Sequence, residues 1–170
     1  MKYIFIGILF SLITVSLQAQ EIVNVFLDKH GKDEGLKVVS IGKKMFNLMQ
    51  MDSVAAPELL EAINGLENIQ ILSSENSLLT EDYYNSAYNL LQKNKNFTEL
   101  ISIDTEEETL IIMIKETKGI VSELVLLTQN AHHFNLISLN GDLNLDLLAK
   151  YSQNLGFQNL GELNTIGGKN

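Results

Sequence analysis

Four runs with the composition of β-strands follow one another between Phe97 and Gly141: FTELISID, ETLIIMIKET, IVSELVLLT and FNLISLNG. Acidic residues from Asp104 to Glu108 join the first two, Lys118-Gly119 the next two, and QNAHH the last two. Links this short make successive strands antiparallel neighbours, so the stretch reads as a meander.

Upstream, helical and extended segments alternate. In IVNVFLDK, residues 22–29, Ile22, Val25, Phe26 and Lys29 fall at helical spacing before Gly31. KDEG at 32–35 is a polar turn, LKVVSIG at 36–42 a strand and KKMFNLM at 43–49 a helix. Pro57 opens a helix that Gly65 closes, and ENIQILSSE at 67–75 is a further strand. Thr80 has the chemistry of an N-cap, with Glu81 and Asp82 at the positive end of a helix running to about Asn94. Tyr84, Ala87, Tyr88 and Leu91 form its expected apolar stripe. A last helix is expected from Asn144 to Leu155. The sum is an α+β fold, an antiparallel meander sheet of about five or six strands with helices packed mostly on one face.

Residues 1–20, MKYIFIGILFSLITVSLQAQ, have one lysine, an apolar core and a small-residue exit at Ala19. That is the layout of a signal peptide, shorter than the ~20 apolar residues of a membrane span. The expected organisation is a signal peptide at 1–19, a single α+β domain at 20–155 and a partly docked C-terminal tail at 156–170 with a frayed end. Cleavage leaves 151 residues, one domain's worth. It also leaves 11 basic against 21 acidic residues, a net charge of −10 with Lys43-Lys44 as the sole adjacent basic pair. Such a chain repels phosphate backbones and anionic lipid, so neither nucleic acid nor stable membrane insertion is expected. With no cysteine, thiol chemistry and Cys-ligated zinc are excluded.

NGDLNLD at 140–146 imitates the start of an EF-hand loop. Counted from Asp142, however, the positions that need glycine and a bidentate glutamate hold Leu147 and Gln153. A turn at Asn140-Gly141, with Asn144 capping the last helix and Asp142 and Asp146 near its dipole, accounts for the motif better. His132 and His133 are adjacent, so entering a strand would send them to opposite faces. His30 lies near Asp28, Asp33 and Glu34. A metal-dependent or enzymatic function, the alternative reading, would begin with Asp28, His30 and Glu34. No G-x-S-x-G elbow exists, Ser40 sits inside a strand, and Gly42-Lys43-Lys44 lacks the second glycine of a phosphate loop. The acidic run Asp104, Glu106, Glu107 and Glu108 reads as a solvated hairpin turn. No catalytic residue, metal ligand or cofactor is assigned, and the expected function is a non-enzymatic binding or regulatory domain.

Taken in order, FLDKHGKDEG at 26–35, VVSIGKKMF at 38–46, IQILS at 69–73, FTEL at 97–100, IIMIKE at 111–116, SELVLL at 122–127 and LISLNGDLNLDLLAK at 136–150 resemble a family of small exported Bacteroidota proteins carrying a domain of unknown function. The resemblance implies an exported α+β domain and no known activity. It also implies proximity to sigma and anti-sigma regulatory genes, hence envelope signalling, without giving any residue a role.

The meander strands are apolar on both faces. In IVSELVLLT, simple alternation puts Val121, Glu123, Val125 and Leu127 opposite Ile120, Ser122, Leu124 and Leu126; in the preceding run, Leu110, Ile112 and Ile114 oppose Ile111 and Met113. Either helices cover both sides, or one face awaits a protein partner or a second copy.

Overall fold

The computed structural model describes residues 22–51 and 64–146. Helix α1 (Ile22–His30) leads through a turn to strand β1 (Lys37–Gly42), which passes directly into α2 (Lys43–Met51). Then come β2 (Leu66–Ser74), α3 (Thr80–Lys93) and four strands in succession: β3 (Phe97–Asp104), β4 (Thr109–Thr117), β5 (Ile120–Gln129) and β6 (Phe134–Leu143). One six-stranded sheet contains them all in the order β1-β2-β6-β5-β4-β3, every pair antiparallel. The meander is therefore intact from β3 to β6. The β1–β2 pair docks on its β6 side, and α3 takes the chain from β2 to the far edge.

The turns explain the meander locally. Lys118 and Gly119 both have positive φ, 56° and 83°, the backbone of the two-residue hairpin turn whose twist matches the flanking strands. In the acidic hairpin the Thr105 hydroxyl accepts from the amides of Glu107 and Glu108 and donates to the Glu108 carbonyl. At the third turn, Asn130 Oδ1 accepts the amides of His132 and His133, both at 2.8 Å.

Both faces of the sheet are core. On one, Leu72, Ile111, Met113, Val125, Leu127, Phe134 and Leu136 pack with Ile22, Val23 and Phe26 of α1 and Tyr83, Ala87 and Leu91 of α3. Phe26 stacks on Phe134 at 5.6 Å between ring centroids, and Tyr83 closes the group at 5.9 Å from Phe26 and 5.4 Å from Phe134. On the other, Ile69, Ile101, Leu110, Ile112, Ile114, Leu124, Leu126 and Leu139 form an aliphatic layer joined by Phe46 of α2. Met113 and Leu126, on opposite faces, are 4% and 2% exposed within the single chain. Double-sided apolarity is thus consumed by the chain's own core, each buried large side chain contributing about 1.5–3 kcal/mol. Two of the three described helices share one face, as the sequence suggests.

Several local expectations are corrected. Thr80 is the first residue of α3 rather than its cap: Leu79 holds the cap position without a side-chain bond, and the Thr80 hydroxyl donates to the Ser77 carbonyl at 3.4 Å. Buried at the helix–sheet seam, that hydroxyl cannot reach forward to an orphan amide. The α3 stripe keeps Ala87 and Leu91 and gains Tyr83 in the core, while Tyr84 and Tyr88, half-buried, stack on each other at its margin. Val121 packs on the Leu124 face because a register shift between Val121 and Glu123 breaks the alternation. Asn140-Gly141 is strand, not turn; β6 continues to Leu143, and the Asp142 amide bonds the Gly65 carbonyl at 2.9 Å. Gly141 has φ 144°, and a Cβ there would meet the Gly65 carbonyl, so close backbone approach fixes glycine at this crossing. The signal peptide, the Pro57 helix, the body of the last helix and the tail lie outside the described residues.

Candidate functional site

His30, the residue at the head of the enzymatic reading, ends α1 and meets two partners. Its Nδ1 is 3.0 Å from Asp33 Oδ2 and its Nε2 is 3.0 Å from Ser86 Oγ on α3. The imidazole thus links Asp33 to Ser86, with the donor and acceptor roles of its two nitrogens set by the tautomer. Lys29 Nζ also donates to Ser86 Oγ at 3.2 Å, and the Tyr83 hydroxyl donates to Asp33 Oδ2 at 3.3 Å. Burial, and then the negative charge of Asp33, push the Tyr83 hydroxyl above its ordinary value. The imidazole also stacks on Phe26 at 4.6 Å and meets Tyr83 edge-on at 5.1 Å. Both ring nitrogens are thus committed to Asp33 and Ser86, not to Asp28 or Glu34.

The order serine–imidazole–carboxylate is that of a hydrolase triad, but its setting differs. Acyl transfer needs free N–H donors aimed at the developing oxyanion. Ser86 lies in the middle of α3, where neighbouring amides are consumed by helical i→i−4 bonds. What the cluster does visibly is clamp the end of α1 and the following turn to α3. Sequence spacing put Asp33 near His30; only the packing of two helices brought in Ser86 and Tyr83, 56 and 53 positions away along the chain.

The remaining sequence candidates do not converge. His132 and His133 sit in the loop before β6, both exposed, and His132 Nδ1 shares a 3.2 Å hydrogen bond with Ser77 Oγ. Asp142 belongs to a strand, so it cannot open a calcium loop. Glu106, Glu107 and Glu108 line a shallow, open surface hollow with Gln129 and Asn130. Among the described residues, no three histidine or carboxylate side chains come together in a metal-binding group. A polar row, in contrast, crosses the α1/α3 face of the sheet beyond the aromatic core: Ser138 donates to the buried Glu123 carboxylate at 3.0 Å, and Asn140 Nδ2 donates to Ser138 Oγ at 2.9 Å and Asn68 Oδ1 at 3.0 Å.

Elsewhere, four of the six exposed large apolar side chains among the described residues lie along β1 and α2. Val38 and Val39 on β1 are 47% and 50% exposed, and Met45 and Leu48 on α2 are 53% and 55% exposed. Between strand and helix runs a groove of about 480 Å³ lined by Ser40, Ile41, Gly42, Lys44, Met45 and Leu48. Among the described residues β1 ends the sheet, and its outer row of backbone groups has no neighbouring strand. At one end of the strand Lys37 is paired with Glu75 at 2.8 Å, which holds that carboxyl below its usual range. At the other, Lys43 and Lys44 are exposed and make no ion pair among the described residues. Sequence reading picked out the lysine pair but not the exposure of the valines before it.

Fold and surface together define an α+β protein with a two-sided antiparallel sheet. The chain belongs to the family defined by the domain of unknown function DUF4252, whose model matches residues 29–151. No curated protein and no solved structure matches it. The family match covers the whole sheet and both of its edges.

Proposed function

We propose that this protein is an exported, non-enzymatic binding or regulatory domain of the cell envelope, and that it engages a protein partner through the β1–α2 margin. The observation carrying the reading is the open sheet edge with its exposed Val38, Val39, Met45 and Leu48. An apolar, partly charged groove beside unpaired backbone suits a polypeptide better than a small metabolite. Export is supported by the N-terminal lysine, apolar core and small-residue exit. Among the described residues, no helix is long and apolar enough to cross a membrane.

Intact-mass analysis of protein recovered from the envelope should give a chain beginning within a few residues of Gln20; a full-length cytoplasmic species overturns the export half. Photo-crosslinkers placed at Val39 and Leu48 should capture a discrete envelope protein, whereas the same groups at Thr98 should not. The enzymatic rival would run through Ser86, His30 and Asp33. Treatment with a fluorophosphonate should leave Ser86 unlabelled, and labelling that disappears in His30→Ala would replace the binding reading with a catalytic one.

A further inference from the structure

We propose that β1 accepts an extended segment of another protein as a seventh, antiparallel strand, seating alternate apolar side chains in the groove beside α2 and placing an acidic N-terminal end against Lys43 and Lys44. This rests on the binding reading above and specifies its partner.

Three features fix the geometry. First, β1 pairs with β2 over all of Lys37–Gly42 without a register shift, so its outer side is a regular template; β2, β3, β4, β5 and β6 each take part in a ladder that is interrupted. Every existing pair is antiparallel, and an added strand of the same sense starts at the Gly42 end of β1. Second, successive side chains of an added strand alternate between the two faces. Those on the α2 side enter the groove lined by Ile41, Met45 and Leu48, while those on the other side come beside Val38. Third, the charge is lopsided. Glu75 neutralises Lys37, whereas Lys43 and Lys44 stand together at the Gly42 end in the first turn of α2, which contains no acidic residue. Two cations at the positive end of a helix dipole disfavour the free state and favour a carboxylate arriving there. A second copy of this chain fits less well. Antiparallel β1–β1 pairing would set the Lys37–Glu75 pair of each copy, which has no net charge, against Lys43 and Lys44 of the other, so the two lysines would gain less than from an acidic segment.

The test uses two labelled peptides, Asp-Asp-Val-Thr-Ile-Thr-Val and Lys-Lys-Val-Thr-Ile-Thr-Val, in fluorescence anisotropy with the protein. The acidic peptide should bind saturably and weaken as salt rises. Lys43→Glu with Lys44→Glu should lower that affinity about tenfold and raise affinity for the basic peptide by a similar factor. Leu48→Glu, an exposed change that leaves the circular dichroism spectrum intact, should weaken both. Hydrogen exchange should slow at β1 amides when the acidic peptide is bound. Equal binding of both peptides, protection confined to other strands, or a wild-type dimer whose β1 amides are already protected would each overturn the proposal. If crosslinking at Val39 captures a partner while neither peptide binds, strand addition fails and the binding reading stands; absence of both a partner and export removes the reading itself.

Discussion

The two edges of the sheet are built on opposite principles. β3 exposes Thr98, Glu99, Ser102 and Asp104 and has a register shift between Glu99 and Ile101, while Phe97 and Ile101 turn inward. Charge and a local irregularity both discourage another strand from joining it. β1 runs in uninterrupted register and shows Val38 and Val39 to solvent, with lysines only at and beyond its ends. A chain that blunts one edge so thoroughly and leaves the other regular and apolar has treated the two as different surfaces. Exposed apolar residues are ordinary when scattered, but here Met45 and Leu48 line one groove and Val38 and Val39 lie on the strand beside it.

The contrast between edges and centre gives the largest expected effect. Leu126→Glu and Met113→Glu each bury a carboxylate among apolar neighbours and should abolish the cooperative urea transition of the single chain. A soluble, fully folded variant at either position would show that one face is less sealed than its burial indicates. Next, Ile101→Ala at the inward side of β3 should cost about 2–4 kcal/mol, whereas Val39→Ala at β1 should cost less than about 1 kcal/mol. Similar losses at the two sites would erase the distinction between edges. His30→Ala removes the clamp between α1 and α3 and should cost about 1–2 kcal/mol in chemical denaturation while leaving peptide binding at β1 unchanged.

Tyr83 gives a pH test of the closed face. Its hydroxyl is raised by burial and then by Asp33, so the folded state holds the phenolic proton more tightly than the unfolded chain. That contribution is complete below the ordinary value of 10.0 and is lost as pH rises through the raised value. Melting temperature should fall in that alkaline window, and Tyr83→Phe should flatten the fall. The smallest effect belongs to the open edge: Val38→Lys should change stability by no more than about 0.5 kcal/mol. It should nevertheless reduce crosslinking at Val39, because an edge lysine obstructs strand addition.

The sequence by itself determined the local pieces. Period-two runs with short links specified β3–β6, Gly119 specified a hairpin turn, and Ile22, Phe26 and Gly31 outlined α1, because these features depend on contacts a few residues apart. The double apolar face of β4 and β5 was also legible, and it meant core on both sides. Tertiary structure alone decided that β2 lies against β6, that a register shift sends Val121 to the Leu124 face, and that Tyr83 rather than Tyr84 turns inward. It also decided the two functional candidates. Ser86 reaches His30 only because α1 and α3 share a face, and Val38 and Val39 are exposed only because β1 is last in the sheet. Alternation tells which residues share a side of a strand; it does not tell whether another strand lies beyond it, since that depends on long-range pairing whose energy resides in no single segment.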